Sequence, residues 1–424
     1  MKPITVAIAG CGSRGLDTYA ACQARFPQKM KIVAAADPRS EKLEQMKTLL
    51  GLEDAQCYAS AEEMLAKEKL ADVMFICTQD QQHHGHAMAA LEKGYHLLLE
   101  KPISESAQKC LEIEALAHKK NLRVIVCHVL RYTVFYQKIR ELIAQGAVGE
   151  VVSVQASEQV GFWHQAHSFV RGNWRQKETS APMILAKCCH DMDILLWLTG
   201  KRCERVSSFD SLRHFRPEYA PEGAAARCTD GCPAADSCPY NAVRYYMDRV
   251  RAGELGWPVN ILTVQHDEEG VMQALKTGPY GRCVYACDND VVDHQVLNME
   301  LEGGVTVSFS MCGFSKYNHR SLRIMGTHGE ITGDTNDNLI RVMPFVGEET
   351  VIDVKSLTSD FSGHAGGDAR MLEEFMDVLL DESEGSVSLS DISRSVESHL
   401  VALAAEESRL QGGKCIEMRE FNRK

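Results

Sequence analysis

The sequence predicts an α/β protein whose first domain is built on a doubly wound parallel sheet. Two observations support this prediction. Short apolar runs alternate with stretches of helical periodicity, which is typical of parallel strands joined by crossover helices. A glycine-rich turn follows the first run at once, and polar loops follow later runs. We expect six parallel strands within residues 1–128, and the runs that the pattern locates are Ile4–Ala9, Lys31–Ala36, Ala71–Cys77, Tyr95–Leu99 and Arg123–Cys127.

The composition is that of an ordinary globular protein. The 424 residues are 45% hydrophobic and 25% charged, which is enough chain for two or three domains. The formal net charge of −12 disfavours a nucleic-acid partner, because a phosphate backbone selects basic surfaces. The chain lacks a signal-peptide pattern and a membrane-length apolar run, so we expect a cytoplasmic protein without a membrane partner. In that compartment the 16 cysteines are expected as free thiols or metal ligands.

The glycine-rich turn has the spacing of a dinucleotide-binding loop. In the G-x-G-x-x-G pattern, Gly10 allows the tight turn, Gly12 lets a pyrophosphate approach the backbone, and Gly15 permits close packing of helix on strand. The phosphates would lie at the N-terminus of the following helix. The predicted cofactor loop comprises Gly10, Gly12, Ser13, Arg14 and Gly15.

Asp37 ends the second predicted strand, about twenty residues beyond the glycines, where an acid binds the ribose hydroxyls of a dinucleotide. An acid there repels a 2′-phosphate, so the position favours NAD over NADP. Arg39, two residues later, weakens that preference. Asp37 is also a suitable helix cap, and the sequence leaves both roles open.

Lys101 is the first candidate catalytic residue. It follows the apolar run Tyr95–Leu99 within Glu100-Lys101-Pro102, so it lies at the carboxyl edge of the sheet, where open α/β sheets bind ligands. A partly buried lysine is a good acid/base partner because burial lowers its pKa. We expect Glu100 to orient the ammonium group. The alternative is an ordinary surface ion pair in a charged loop.

Five motifs, in the order in which they follow along the chain, resemble those of one family. The segments GCGSRG, AAADP, TQDQQH, EKP and HVLRY resemble those of the Gfo/Idh/MocA oxidoreductases, over most of the chain. The resemblance implies a Rossmann domain followed, over residues 129–424, by an α+β domain with a large, mostly antiparallel open sheet. It implies NAD or NADP as cofactor and a sugar, cyclitol or related substrate. It also implies a homo-oligomer, either a dimer or a tetramer.

The resemblance also assigns roles to individual residues. Lys101 is implied to face the substrate, and Thr78 and His83 to lie in the loop on the nicotinamide side, with Glu100 grouped with them at the cofactor. Arg131 and Tyr132 match the segment that leaves the Rossmann domain toward the substrate.

His190 is the second candidate catalytic residue. It lies in Met183–Leu198, which the sequence predicts as one helix, three residues before Asp193 on the same surface. This spacing resembles the catalytic segment of the family, and histidine suits general acid/base chemistry because its pKa lies near neutrality. The alternative is a histidine on the surface of a helix. Asp193 is grouped with the substrate-binding residues.

This segment departs from the family pattern. Ala186 occupies the place, four residues before the histidine, where the family often has Asp, and Cys188 occupies that of a common Gly. The usual Asp–His proton relay is therefore in doubt. Lys187 is a candidate replacement, which would give the site two lysines and one imidazole.

Further substrate contacts are expected from the second domain. The segment 162–175 interleaves Arg171, Trp174 and Arg175 with other aromatic residues, which suits a sugar face and an anionic group. A packed aromatic loop with surface arginines is the alternative. His294, beside Asp293 in a predicted strand, is expected to face the cleft.

The resemblance makes His364 a weaker candidate for a substrate contact. Asp368, four residues later, is expected to be the N-cap of the helix that follows. A hairpin is predicted at Gly303-Gly304, between two alternating strands.

Residues 209–285 look like an insertion that is rich in cysteine. Four thiolates brought together would suit a tetrahedral structural zinc, whereas reduced cysteines in a compact loop are the alternative. Cys287 is a substitute ligand. The candidate set is Cys228, Cys232, Cys238 and Cys283.

The sequence leaves three functions open. The first is a dehydrogenase that oxidises a sugar or cyclitol hydroxyl with His190 and Lys101. The second is an NAD-dependent glycoside hydrolase, in which transient oxidation of C3 permits elimination of the aglycone. The third is a non-catalytic NAD-sensing protein. The presence of both Lys101 and His190 argues against this third function.

Overall fold

The computed structural model describes residues 2–381 and 383–422. Its first sheet is parallel throughout, with the strand order β3-β2-β1-β4-β5-β6. This confirms the doubly wound prediction. The sixth strand is the two-residue β3, which is too short to show a periodicity in the sequence. The strands are β1 (Ile4–Ala9), β2 (Met30–Ala36), β3 (Cys57–Tyr58), β4 (Val73–Ile76), β5 (His96–Leu99) and β6 (Val124–Val126).

Helices cover both faces of this sheet, so its strands are mainly apolar, with polar residues such as Lys31 near their amino ends. Val6 and Ile8 of β1 pack in one core and Ala7 and Ala9 in another, as the two-residue period of a strand requires. The turn after β1 leads into wide π-helical turns over Ser13–Ala20. The helices of this part of the chain are Ser40–Leu50, Ala61–Ala66, His83–Glu92, Ala107–Lys120 and Val134–Ala144.

The second sheet has nine strands in the order β14-β13-β12-β11-β7-β10-β9-β8-β15. Only the β10–β7 pair is parallel, which confirms the large, mostly antiparallel sheet. Gly303 and Gly304 both have φ near +77° in the turn between β9 and β10. The strands are β7 (Val151–Gly161), β8 (Cys203–Ser211), β9 (His294–Leu301), β10 (Val305–Ser315), β11 (His319–Gly326), β12 (Gly329–Asp334), β13 (Leu339–Pro344), β14 (Thr350–Asp353) and β15 (Ile416–Glu417).

The predicted helix Met183–Leu198 is corrected to two helices. They span Met183–Ala186 and Cys189–Thr199, and Lys187 and Cys188 lie between them, where the backbone of Cys188, with φ near −95° and ψ near 6°, leaves the helical conformation. Neither glycine nor proline marks this break, so periodicity alone does not locate it. The remaining helices are Phe162–His164, the π-helical Gln165–Arg171, Ala242–Arg251, Glu268–Thr277, Ser362–Ala365, Gly367–Leu379, Ile392–Leu410 and Met418–Phe421.

The last part of the chain returns to the first sheet. Met371, Phe375 and Met376 of the helix Gly367–Leu379 share a core with Ile8 and Phe75. The Val126 N–H of β6 donates to the Ser390 carbonyl at 2.9 Å. Among the described residues, no helix has the length and apolar character needed to cross a membrane.

Candidate active site

The glycine loop has the geometry that its spacing predicts. Gly10 has φ near +93°, and a Cβ there would lie 2.4 Å from the Cys77 carbonyl oxygen. A Cβ on Gly15 would lie 1.9 Å from the Gly10 carbonyl oxygen, so both positions require glycine. Gly12 borders open space, since a Cβ there would meet only the Arg39 guanidinium, at 3.8 Å. A pyrophosphate group therefore fits against this backbone.

Asp37 lies beside the loop with its carboxylate fully engaged. It accepts the Cys11 N–H at 2.8 Å and both Nε and Nη2 of Arg39 at 2.9 Å. Burial opposes ionisation, but the Arg39 hydrogen bonds hold the pKa of Asp37 below its ordinary value. The N-cap of the helix Ser40–Leu50 is Arg39, so Asp37 supports the cap through the Arg39 N–H rather than forming it.

Three charged side chains form what we call the cofactor-side network: Arg14, Glu100 and Asp368. Arg14 Nε donates to Glu100 Oε1 at 2.5 Å, and Arg14 Nη2 to Asp368 Oδ1 at 2.7 Å. Glu100 also accepts the Tyr19 hydroxyl. Burial raises the pKa of Glu100, but Arg14 overcomes that effect and keeps it below its ordinary value. The network ties the glycine loop to the C-terminal part of the chain.

Two expectations are corrected by this network. Glu100 does not hold the Lys101 ammonium, because its oxygens bind Arg14, Tyr19 and the Lys101 backbone N–H. Asp368 is not the N-cap of its helix, since Gly366 occupies that position. Asp368 instead binds Arg14 and the Nδ1 of His364, at 3.0 Å.

Thr78 and His83 lie in the loop at the carboxyl end of β4. The His83 ring is buried, with Nδ1 at 2.7 Å from the Pro102 carbonyl oxygen and Nε2 at 3.1 Å from that of Thr78. Thr78 Oγ1 is 3.0 Å from His86 Nδ1. His83 therefore joins this loop to the segment that carries Lys101, and both of its nitrogens are engaged by the protein.

Lys101 lies where the sequence predicts, at the carboxyl edge of the first sheet. Its Nζ donates to the Ala186 carbonyl oxygen at 2.9 Å, and the peptide bond to Pro102 is cis. Ala186 is the position where the family often has Asp. A backbone oxygen there holds the ammonium, so the missing carboxylate is not needed to position it.

His190 lies close to Lys101 in a buried pocket. Its Nδ1 lacks a partner among the described residues, and its ring centroid is 5.7 Å from that of His128 and 6.3 Å from that of His364. Burial and the charge of Lys101 hold the pKa of His190 well below its ordinary value. The unpartnered Nδ1 is able to form a hydrogen bond with a bound molecule.

His364 approaches the pocket from a strained loop. Its backbone has φ near +43°, a conformation that residues other than glycine rarely adopt. Strain of this kind persists where surrounding contacts enforce it, and Asp368 holds the His364 ring.

Four charged side chains form the substrate-side network: Lys187, Glu158, Arg320 and Asp191. Arg320 lies between the two acids, with Nη2 at 2.6 Å from Glu158 Oε2 and Nε at 2.7 Å from Asp191 Oδ1. Lys187 Nζ lies 3.1 Å from Glu158 Oε1, and its side chain remains 18% exposed. Burial raises the pKa of Asp191. Lys187 is thus held at the break between the two helices with its ammonium close to solvent.

Three residues expected to contact the substrate, Arg131, Tyr132 and Asp193, have partners inside the protein. Arg131 and Asp193 bind each other, with Nε to Oδ2 at 2.7 Å and Nη2 to Oδ1 at 2.5 Å, and both are buried. Tyr132 is buried too, and its hydroxyl lies 3.1 Å from Ser390 Oγ. These side chains are satisfied inside the protein, so they support the pocket from behind rather than face a substrate.

The arginines of the predicted sugar-binding segment also have protein partners. Arg171 is buried and donates to the carbonyl oxygens of Arg282 and Tyr240, at 2.7 and 2.8 Å. Arg175 pairs with Asp288. Trp174 donates from Nε1 to Asp80 Oδ2 at 3.1 Å and so contacts the nicotinamide-side loop. The alternative of a packed aromatic segment therefore fits the two arginines better.

His294 lies at the start of β9 with its side chain 42% exposed. Its Nδ1 is 2.8 Å from Asp293 Oδ1, and Asp293 also accepts the backbone N–H groups of Arg213 and His214. This pair supports the start of the insertion, and its role at a substrate stays a prediction.

Sequence reasoning missed three residues of the pocket: Glu158, Arg320 and His164. Glu158 and Arg320 pair across neighbouring strands of the second sheet, and a buried charge in a strand is the signal that would have marked them. His164 stands near Lys187 and Lys101, since burial and then the Lys187 charge lower its pKa.

The four candidate zinc ligands line one cavity of about 20 Å³, with Arg171 and Tyr240 on its walls. Cys228 Sγ accepts the Ala242 N–H at 3.4 Å. Burial raises the pKa of Cys238 and of Cys283. Among the described residues, no three His, Cys, Asp or Glu side chains are arranged to hold a metal ion. The zinc site thus stays a prediction that metal analysis will test.

Comparisons with known proteins agree with this architecture. A family model described as "Oxidoreductase family, NAD-binding Rossmann fold" matches residues 4–128. A second, described as "Oxidoreductase family, C-terminal alpha/beta domain", matches residues 140–417. Together they span most of the chain.

Individual relatives are distant. YteT of Bacillus subtilis is 26% identical over 355 residues, which is 78% of this chain and 79% of YteT. The 2,7-anhydro-N-acetylneuraminate hydratase of Escherichia coli is 24% identical over 171 residues, 40% of this chain and 45% of the hydratase. The WlbA dehydrogenase from Bordetella pertussis, solved with NADH and UDP-GlcNAcA, has the same fold, with a TM-score of 0.70 at 16% identity over 98% of each chain.

Proposed function

Because the chain belongs to the Gfo/Idh/MocA family of oxidoreductases, we propose that it is an NAD(P)-dependent dehydrogenase acting on a hydroxyl group of a sugar, a cyclitol or an anionic derivative of either. The observation that carries the proposal is the contact of Lys101 Nζ with the carbonyl oxygen of Ala186 at the carboxyl edge of the first sheet. Ala186 lies four residues before His190, whose Nδ1 is unpartnered among the described residues. WlbA, which has the same fold, was solved with a nucleotide sugar and NADH.

The residues have distinct proposed roles. A bound nicotinamide supplies the hydride acceptor. His190 takes the proton of the substrate hydroxyl at Nδ1, which is unpartnered among the described residues. Lys101, positioned by the Ala186 carbonyl, donates a hydrogen bond to the same oxygen as negative charge develops there.

A second candidate function is an NAD-dependent glycoside hydrolase that oxidises C3 transiently and eliminates the aglycone. Lys187 favours it, because elimination needs a further acid/base group beside the one that serves the oxidation. Its ammonium is partly exposed beside Glu158. The hydride returns to the sugar within each cycle, so this reaction consumes no NAD. A distant relative, the Escherichia coli enzyme, is named as a hydratase.

Turnover with and without added NAD separates the two functions. The purified protein is incubated with free sugars, cyclitols and methyl and phenyl glycosides, including uronides. Absorbance of NADH that grows only with added NAD supports the dehydrogenase, whereas aglycone release without NADH supports the hydrolase. A protein that binds NAD but turns over none of these compounds would favour the NAD-sensing alternative.

Variants test the named residues in the same assay. Lys101→Met and His190→Asn are each expected to lower kcat/KM by about 10²-fold or more, the usual contribution of a positioned acid or base. His118→Asn is the matched control, because that histidine is largely exposed on the helix Ala107–Lys120. Equal losses in all three variants would contradict the assignment.

We propose NAD as the preferred cofactor, with Asp37 binding the ribose. Arg39 already pairs with Asp37, so it is available to a 2′-phosphate only if that pair opens. Titration of the wild type with NAD and with NADP measures the preference. Asp37→Ala is expected to shift the preference toward NADP, and Arg39→Ala is expected to shift it toward NAD.

We also propose a homo-oligomer, a dimer or a tetramer, formed on the outer face of the second sheet. Phe209 of β8 and Val296 of β9 are cross-strand neighbours there and are each about half exposed, and exposed apolar surface of this kind marks interfaces. Light scattering of the wild type and of Val296→Glu tests the proposal.

A further inference from the structure

A short segment of the insertion reaches the cleft between the two sheets. We call residues 255–264 the rim segment. Its Asn260 donates from Nδ2 to Asp17 Oδ2 at 3.0 Å. Asp17 belongs to the helical turns that follow the glycine loop. The rim segment therefore spans from the second domain to the cofactor-binding part of the first.

Trp257 of the rim segment packs against a group of aromatic rings. Its ring centroid lies 5.0 Å from that of His164 and 5.4 Å from that of His167, both edge to face, and 5.5 Å from that of Trp163. Trp163 stacks in turn on Tyr245, at 5.6 Å. These contacts fix the Trp257 ring in one orientation.

The aromatic group begins where β7 ends, close to the proposed reactive centre. Glu158 of β7 binds Lys187 Nζ at 3.1 Å, the strand ends at Gly161, and Trp163 and His164 follow at once. Asn318 Oδ1 lies 3.1 Å from Nδ1 of His164 and holds the ring. One short stretch of chain therefore joins the residue that binds Lys187 to the rings that pack against Trp257.

The outer end of the aromatic group is mainly apolar and open. Trp257 is 42% exposed although three rings pack against it, and Leu255, Ile261 and Val264 of the same segment are exposed as well. The inner end has the polar groups that a reacting hydroxyl needs, whereas the outer end offers these large apolar side chains. Aromatic faces bind the apolar faces of sugar rings and aryl groups.

We propose that the rim segment forms a second subsite, with Trp257 as its platform, for the ring or aryl group joined to the sugar that reacts. The proposal rests on the proposed function and deepens it, because it assigns the enzyme to glycosides rather than free monosaccharides. The Lys101–His190 pocket holds the reacting ring, and Trp257 holds the substituent beyond it.

Paired methyl and phenyl glycosides test this subsite. For each sugar of the panel, kcat/KM of the phenyl glycoside is divided by that of the methyl glycoside. Trp257→Ala is expected to lower this ratio about tenfold, and Trp257→Phe about twofold to threefold, since a smaller ring remains. Val346→Ala is the control and should leave the ratio unchanged, because Val346 is exposed in the turn between β13 and β14, outside the rim segment. An equal ratio in Trp257→Ala and the wild type overturns the proposal.

Calorimetric titration separates failure of this inference from failure of the proposed function. Phenyl and methyl glycosides are titrated into the NAD-loaded wild type and Trp257→Ala proteins, which needs no turnover. Tighter binding of the phenyl glycoside that disappears in the variant supports the subsite even if no glycoside reacts. Absence of glycoside binding by the wild type overturns it, as does an NAD affinity that falls in Trp257→Ala with no change in glycoside preference.

Discussion

The two buried charge networks flank the same cleft but are built differently. In the cofactor-side network one arginine, Arg14, lies between two acids that come from distant parts of the chain. In the substrate-side network Arg320 takes the same central place between Glu158 and Asp191, and a second cation, Lys187, is added at the edge. The first network uses its single arginine for structure. The second balances its two acids with two cations, and Lys187, which is partly exposed, is the one of the four side chains that we propose as an acid/base group.

The largest effect is expected on the cofactor side. Arg14→Met leaves Glu100 and Asp368 buried without their cation, which costs about 3–5 kcal/mol of unfolding free energy. Urea unfolding measures the loss. Arg323→Met is the control, because Arg323 pairs with Glu330 at the surface, where such pairs contribute about 0–1 kcal/mol. Similar losses of unfolding free energy in the two variants would show that the cofactor-side network contributes no more to stability than a surface ion pair.

A smaller change in stability but a clear loss of activity is expected from Lys187→Met. Arg320 still pairs with both Glu158 and Asp191, so the fold keeps these two buried ion pairs. If Lys187 transfers a proton, kcat/KM falls about 10²-fold. Steady-state kinetics and urea unfolding are compared with Lys316→Met, an exposed lysine of the same sheet region. If Lys187→Met loses as much stability as Arg14→Met and keeps its kinetics, Lys187 has a structural role and the proposed acid/base role is wrong.

The smallest predicted effect is a difference in how the stability that each network contributes depends on pH. Burial raises the pKa of Asp191, so the folded protein binds a proton there while the unfolded chain, with a value of about 3.9, does not. Its contribution to stability therefore grows as pH falls from 7 toward 5. Burial opposes ionisation of Asp368 as well, but Arg14 and His364 lower its pKa, so its contribution is unchanged until about pH 4 and is lost below that.

Urea unfolding at pH 7 and pH 5 tests this difference. Relative to Asp191→Asn, the wild type should gain about 1 kcal/mol over the interval. Relative to Asp368→Asn, it should gain nothing. A gain of equal size against both variants would mean that the two acids titrate alike.

The parts of the site that depend on local spacing were predictable from the sequence. Gly15 is required by contacts with Gly10 and Ile8, a few residues away, and Lys101 follows directly from its place after β5. The parallel sheet, predicted from the alternation of apolar runs and helical periodicity, is confirmed, and so are the family and the mostly antiparallel second sheet that the resemblance implied.

The parts that depend on distant partners were not predictable. An arginine beside a cleft has the same local sequence whether it meets a substrate or, like Arg131, a buried Asp193. The break at Lys187 carries no glycine or proline. The contact between His164 and Trp257 joins residues 93 positions apart, and periodicity carries no information about such a pair.

The packing of the helix Gly367–Leu379 against the first sheet has a consequence for how the protein is made. Met371, Phe375 and Met376 complete a core that begins with the first strand. During synthesis the ribosome delivers that helix after more than 360 residues, so the nascent first domain carries an uncovered apolar face for most of translation. Exposed surface of this kind is prone to aggregation, which makes the chain a natural client of chaperones until its last helices emerge.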